Sequence, residues 1–115
     1  MRLRTTVAAA LGALALVVTL PGSASAAQGD FTYTYTAQDG SRQQTGLINP
    51  PSRQCVALPG AADPGRTLPG DTPWNNTDAT ATVFTGPDCD GDYFTLRPDG
   101  GHASSRLKIR SVVFS

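Results

Sequence analysis

Glutamate is absent from the chain, and lysine occurs once, as Lys108. Both are strong helix formers, so their scarcity argues against an α-helical domain. Histidine also occurs once, as His102, and cysteine twice, as Cys55 and Cys89. A zinc site needs several His or Cys ligands, and one His beside two oxidised cysteines does not provide them. His102 lies near Ser104, Ser105 and several Asp in sequence, but adjacency does not make a Ser-His-Asp triad, which is defined by geometry. A solvated loop His after Gly100-Gly101 is the plainer expectation, and we expect no enzyme. No glycine-rich phosphate loop occurs. Charge is sparse as well. From Ala27 onward, seven Arg and Lys stand against nine Asp, a net charge of −2. Such a domain has no basic field to draw in nucleic acid or anionic lipid.

Long apolar runs are equally scarce, with one exception at the N-terminus. Arg2 and Arg4 precede an uncharged stretch from Thr5 to Leu20 made mostly of Ala, Leu and Val. Pro21 and Gly22 end any helix there, and Ala24-Ser25-Ala26 supplies the A-x-A pattern of a signal-peptide cleavage site. The run is about 16 residues, short of the ~20 that span a bilayer. We therefore expect residues 1–26 to be a signal peptide cut after Ala26, with Ala27 the fallback. Residues 27–115 are expected as a single secreted, extracellular β domain, monomeric and free of the membrane after cleavage. Such a product has 89 residues, enough for one small domain with a limited core. Export takes Cys55 and Cys89 to an oxidising compartment, where one intramolecular bridge is the expected pairing. On the chain-entropy model, closing that loop stabilises by roughly 3–4 kcal/mol.

What the chain does hold is β pattern and turns. Phe31, Tyr33 and Tyr35 alternate with Thr32, Thr34 and Thr36, which predicts a strand. Asp39-Gly40 predicts a tight turn, and a second strand follows over residues 43–48. A short strand carrying Cys55 is expected over 54–58. Further strands are expected over 80–85 and 92–96, then in the alternation of Leu107 and Ile109 with Lys108 and Arg110, and in the closing run Val112-Val113-Phe114. The sum is six or seven short strands, no helix of consequence, and a sandwich or small barrel. Arg106, Lys108 and Arg110 would share one strand face, open to an anionic partner or serving as a charged edge against aggregation.

Pro59 to Pro73 breaks this pattern. Three Pro-Gly pairs, Pro59-Gly60, Pro64-Gly65 and Pro69-Gly70, set turns in succession, and no apolar period survives. A loop this long in a small domain is commonly functional or disordered. Pro59, Arg66, Leu68, Pro69 and Trp74 are the candidate partner-binding residues. Trp74, the sole Trp, is either an interface anchor or a core plug beneath the loop, and the core is the preferred place.

Phe84-x-x-x-x-Cys89-x-Gly91 resembles the signature of βγ-crystallin-type Greek keys, with Cys89 where a second aromatic usually stands. The Gly supplies the positive φ that folds the first hairpin over. Ile109-Arg110-Ser111-Val112 resembles that family's last strand. Residues 79–114 are thus similar to one Greek key. Tyr33-x-x-x-x-Gln38-x-Gly40 has the same spacing without the aromatic, and the first half reads one strand short. The resemblance implies a small all-β Greek-key β-sandwich with one disulfide. The precursor also resembles small secreted proteins of actinobacteria, though crystallin-like ones usually have more cysteines. Some of those inhibit metalloproteinases and others resemble killer toxins. A non-enzymatic module binding an extracellular protein, such as a protease, is the leading functional expectation. A structural or calcium-stabilised domain comes next, and a toxin or enzyme last.

Calcium has two candidate sites. Asp88, Asp90 and Asp92 alternate as hard oxygen ligands would. They do not open an EF-hand, because Tyr93 occupies the position that requires Gly. A solvated acidic turn with Cys89 pointing inward explains the pattern more simply. The crystallin resemblance also implicates Asn75 and Asn76, but Ala79 replaces the hydroxyl expected to complete that site. Turn formation again suffices. No cofactor other than this weak calcium is expected.

Overall fold

The computed structural model describes residues 26–115. The expected signal peptide lies outside the described residues, apart from Ala26. Eight strands follow in order: β1 (Gly29–Thr36), β2 (Arg42–Ile48), β3 (Val56–Ala57), β4 (Asp71–Thr77), β5 (Ala81–Phe84), β6 (Tyr93–Leu96), β7 (Gly101–His102) and β8 (Ser111–Phe114). No helix occurs among the described residues.

The strands form two antiparallel sheets, ordered β2-β1-β4-β7 and β3-β8-β5-β6. Divided after β4, the chain gives two halves with one rule: the third strand of each half leaves for the other half's sheet. Each sheet therefore takes three strands from one half and one from the other.

The alternation of β1 decides which face it buries. Phe31 and Tyr33 are fully buried, Tyr35 packs partly against the core, and the alternating Thr32, Thr34 and Thr36 are half-buried. Phe31 of one sheet meets Phe114 of the other edge to face, with ring centroids 5.5 Å apart. Leu58, Val83, Leu96, Ile109 and Val112 fill the rest of the core. Each large apolar side chain buried this way contributes about 1.5–3 kcal/mol.

Cys55 and Cys89 form a disulfide, with Cα atoms 5.9 Å apart. Cys55 immediately precedes β3, and Cys89 lies in the turn between β5 and β6. The bridge thus ties the first half's crossing strand to a corner of the second half.

Four sequence expectations need correction. The strand over 54–58 shrinks to Val56–Ala57. β4 begins at Asp71, inside the expected loop, and runs through Trp74-Asn75-Asn76. Its Pro73 sits where the β1–β4 register shifts, so the missing N–H interrupts no regular ladder. β7, at Gly101–His102, replaces an expected turn and loop. Finally, Arg106, Lys108 and Arg110 do not share a strand face, because β8 starts only at Ser111. Lys108 instead reaches Asp71, and Arg110 donates to the carbonyls of Ala61 and Thr67.

Candidate functional site

The chain between β3 and β4 is anchored at both ends. Leu58, Ala61 and Gly70 are buried, and Gly70 exchanges backbone hydrogen bonds with Ile109 at 2.8 and 2.9 Å. Tyr33 Oη donates to the Pro59 carbonyl at 2.6 Å. Burial, with a smaller contribution from neighbouring Tyr35, pushes the Tyr33 phenol well above its ordinary pKa, so it stays a donor. Gly60 has φ +81°, and a Cβ there would lie 2.7 Å from the Tyr35 ring. That close approach requires glycine.

The crest is braced as well. Asp63 Oδ1 accepts from Gly65 N at 2.9 Å, and the Asp63 carbonyl accepts from Arg66 N and Thr67 N at 3.0 and 2.8 Å. Arg110 Nη1 spans the base of the loop, donating to Ala61 O at 3.1 Å and Thr67 O at 3.0 Å. Outside this frame stand Arg66, exposed, and Leu68, 61% exposed. With Thr67 they face the β1–β2 turn across a cleft of about 250 Å³ whose other wall includes Thr36, Ala37, Gln38 and Gly40.

Asp71 fixes the exit of the loop. It is 1% exposed and receives Arg42 Nη2 at 2.7 and 2.9 Å, Thr72 Oγ1 at 2.8 Å and Lys108 Nζ at 3.2 Å. Burial alone would raise its pKa. The hydrogen bonds from Arg42, Thr72 and Lys108, with the charge of Arg42, hold it below the ordinary carboxylate value.

The expected site residues thus separate. Pro59, Arg66, Leu68 and Pro69 belong to the loop, with Pro59 and Pro69 near its anchored ends. Trp74 does not. It lies within β4 and is 41% exposed, so it is not a core plug. Its indole stacks on the imidazole of His102, at 4.0 Å between centroids and 8° between planes.

The calcium candidates do not converge. Asn75 is buried while Asn76 is exposed, as alternation along β4 requires. Asn75 Nδ2 donates to the carbonyls of Ala79 (2.8 Å) and Arg97 (3.0 Å), with Leu96 O at 3.3 Å. Its Oδ1 accepts from Thr77 N at 3.2 Å and Thr77 Oγ1 at 2.7 Å. The side chain is a structural clamp. Asp88, Asp90 and Asp92 are exposed around a half-buried Cys89, whose N–H donates to Ser111 Oγ at 2.9 Å. Among the described residues, no three His, Cys, Asp or Glu side chains are grouped to hold a metal ion.

Sequence reasoning missed the supports: Tyr33 and Arg110 under the loop, the Arg42–Asp71–Lys108 cluster, the Asn75 clamp and the Trp74–His102 stack. Trp74, His102 and Lys108 each carried a signal, as the sole residue of its kind. Most of the pairings join residues far apart in the chain and leave no local pattern; the Asn75 bonds to Thr77 and Ala79 are the local exceptions. Compared with protein-family models, with curated proteins and with solved structures, the chain matches none.

Proposed function

We propose that this chain is an exported, non-enzymatic binding module that engages an extracellular protein through the crest of the β3–β4 loop, Asp63–Leu68. The observation that carries this reading is the double brace of Tyr33 on Pro59 and Arg110 on Ala61 and Thr67. A loop held in one shape loses little conformational entropy on binding. Here the held segment presents an exposed cation and an exposed apolar side chain together, Arg66 and Leu68. Protease inhibition is one form such binding takes. The N-terminal pattern of charge, apolar run and A-x-A supports export, and a disulfide accords with an extracellular address.

The architecture we propose is a pair of crystallin-like Greek keys. Two features support it. One is the exchange of third strands between the sheets. The other is a glycine of positive φ, Gly40 (+88°) or Gly91 (+83°), at equal spacing after Tyr33 and Phe84. The same two features favour a second reading, a structural domain with no dedicated partner.

A capture experiment separates the two readings. The domain from Ala27 is immobilised and exposed to culture supernatant, beside an Arg66→Ala/Leu68→Ala variant of equal thermal midpoint. The binding reading expects an extracellular protein retained by the native domain and lost from the variant. Equal capture by both rules out the crest as the binding face, and capture by neither returns the domain to the structural reading.

A further inference from the structure

The edge strands β6 and β7 are joined by the short turn Arg97–Gly100. Beside it, Phe94, Thr95, Leu96, Arg97, Gly101 and His102 line an open groove of about 280 Å³. Phe94, in the lining, is 48% exposed, and Trp74, 41% exposed on neighbouring β4, stacks on the lining residue His102. Exposed aromatics on one part of a small domain mark an interaction surface.

The chemistry of the lining narrows the partner. Trp74 and His102 are directly opposed across β4 and β7, and their stacking fixes the imidazole plane. His102 Nδ1 lies 2.9 Å from the Gly100 carbonyl. A carbonyl only accepts, so Nδ1 carries a proton, and the neutral tautomer that fits this contact has Nε2 as its acceptor. Arg97 contributes donors only, and the Thr95 hydroxyl both donates and accepts. A ring face thus sits beside a mixed set of donors and acceptors. That is the complement of a pyranose, which has an apolar C–H face and a rim of hydroxyls that donate and accept. The domain carries too little charge to select a polyanion, with a net of −2 from Ala27 onward. The groove is open rather than enclosed, so a stretch of polymer suits it better than an isolated ligand. An extended peptide pairing with β6 is the competing occupant. β6 has only four residues and is followed by Arg97-Pro98, features that blunt an edge against strand addition.

We propose that this groove binds a neutral polysaccharide. One sugar stacks on Phe94, while Thr95, Arg97 and His102 Nε2 hold hydroxyls at its rim. Trp74 is a positioning residue that orients His102. This surface is independent of the loop crest, and its test leaves Arg66 and Leu68 in place.

Trp74 is the only Trp in the sequence, so indole emission reports on this site alone. The domain from Ala27 is run in native gels cast with laminarin, hydroxyethylcellulose or xylan, and sedimented with chitin. Retention by at least one of these is expected, with a change in Trp emission on titrating the soluble polymer that retains it, or its soluble oligosaccharide in the case of chitin. Phe94→Ala and His102→Ala should each weaken binding at least tenfold. Trp74→Phe, which keeps a ring beneath the imidazole, should bind more tightly than Trp74→Ala. Three results would each overturn the proposal: no retention by any polymer, retention indifferent to Phe94 and His102, or amide shifts on β6 with an extended peptide and none with a glycan.

Discussion

The two halves turn their first hairpins with a glycine at the same spacing and nearly the same φ, yet they hold those turns by different means. Around Gly40 the support is local: Asp39 accepts from Ser41 N and Oγ at 2.9 and 2.7 Å. No atom lies within 4 Å of where a Cβ on Gly40 would stand. Around Gly91 local bonds are joined by support from elsewhere in the chain. Ser111 Oγ accepts from Cys89 N and donates to the Gly86 carbonyl, Asp92 N donates to Thr85 Oγ1 at 3.0 Å, and Cys89 is bridged to Cys55. Equal turn geometry therefore conceals unequal dependence on the rest of the molecule. The first corner is set by its own residues, and the second by the assembled fold.

The sharpest way to break this contrast is to remove the bridge. The double change Cys55→Ser and Cys89→Ser should lower stability by about 3–4 kcal/mol, read from the denaturant midpoint. Hydrogen exchange should speed up most at Gly86–Asp92 and hardly at Ala37–Ser41. Equal loss of protection at both corners would mean the bridge acts on the whole domain and the contrast is wrong.

Alanine at the two glycines sharpens the comparison. Gly91→Ala should cost about 2–3 kcal/mol, because its Cβ would collide with Thr85 Oγ1 and dislodge the acceptor of Asp92 N, adding a lost hydrogen bond to the backbone strain. Gly40→Ala should cost about 1 kcal/mol, the lower end of the penalty for a left-handed residue with a Cβ. Thermal midpoints of the two variants decide it, and equal midpoints would sink the idea that the second corner is the more constrained.

A third test concerns a cluster that joins the halves, with an effect smaller than those of the bridge and Gly91. Asp71 receives Arg42 from the first half and Lys108 from the second. Asp71→Asn should cost about 1–2 kcal/mol at pH 7, discounted because both cations are half-exposed. The folded carboxyl is held below its ordinary value. Its contribution is therefore complete above the unfolded value, ~3.9. It disappears as pH falls through the lower folded value. Denaturation midpoints of the native protein and the Asp71→Asn variant should draw together toward pH 2. A gap unchanged from pH 7 to pH 2 would show that the charge of Asp71 is not what stabilises.

The elements that were legible in the sequence carry their signal in neighbouring residues. β1 announced itself because a strand with one buried face alternates, and Phe31 and Tyr33 do. The disulfide followed from an even cysteine count and an export pattern. β4 was hidden for the opposite reason. Its inward positions are Asp71, Pro73, Asn75 and Thr77, polar or helix-breaking residues that read as a loop. They are buried because Arg42 and Lys108 satisfy Asp71, a register shift admits Pro73, and the carbonyl of Ala79 with the distant ones of Leu96 and Arg97 satisfy Asn75. None of those partners is a sequence neighbour in any periodic sense. The loop crest was legible from its Pro-Gly pairs, whereas the base it stands on was not. Ala61 and Gly70 look like loop residues until the core closes over them.

The exchange of third strands also sets the order in which the protein can be finished. A chain made from its N-terminus presents β3 before β8, the strand it pairs with, exists, and β4 before β7 does. Cys55 likewise waits 34 residues for Cys89. The first half therefore emerges with β3 unpaired and β4 paired on one side only, to β1, and no point along the chain marks a completed unit until β8 arrives. Contacts this distant close slowly. During that interval β1, β2 and β4 stand as a partial sheet with Phe31 and Tyr33 uncovered, the stage at which a newly made molecule is most exposed to self-association and to proteolysis.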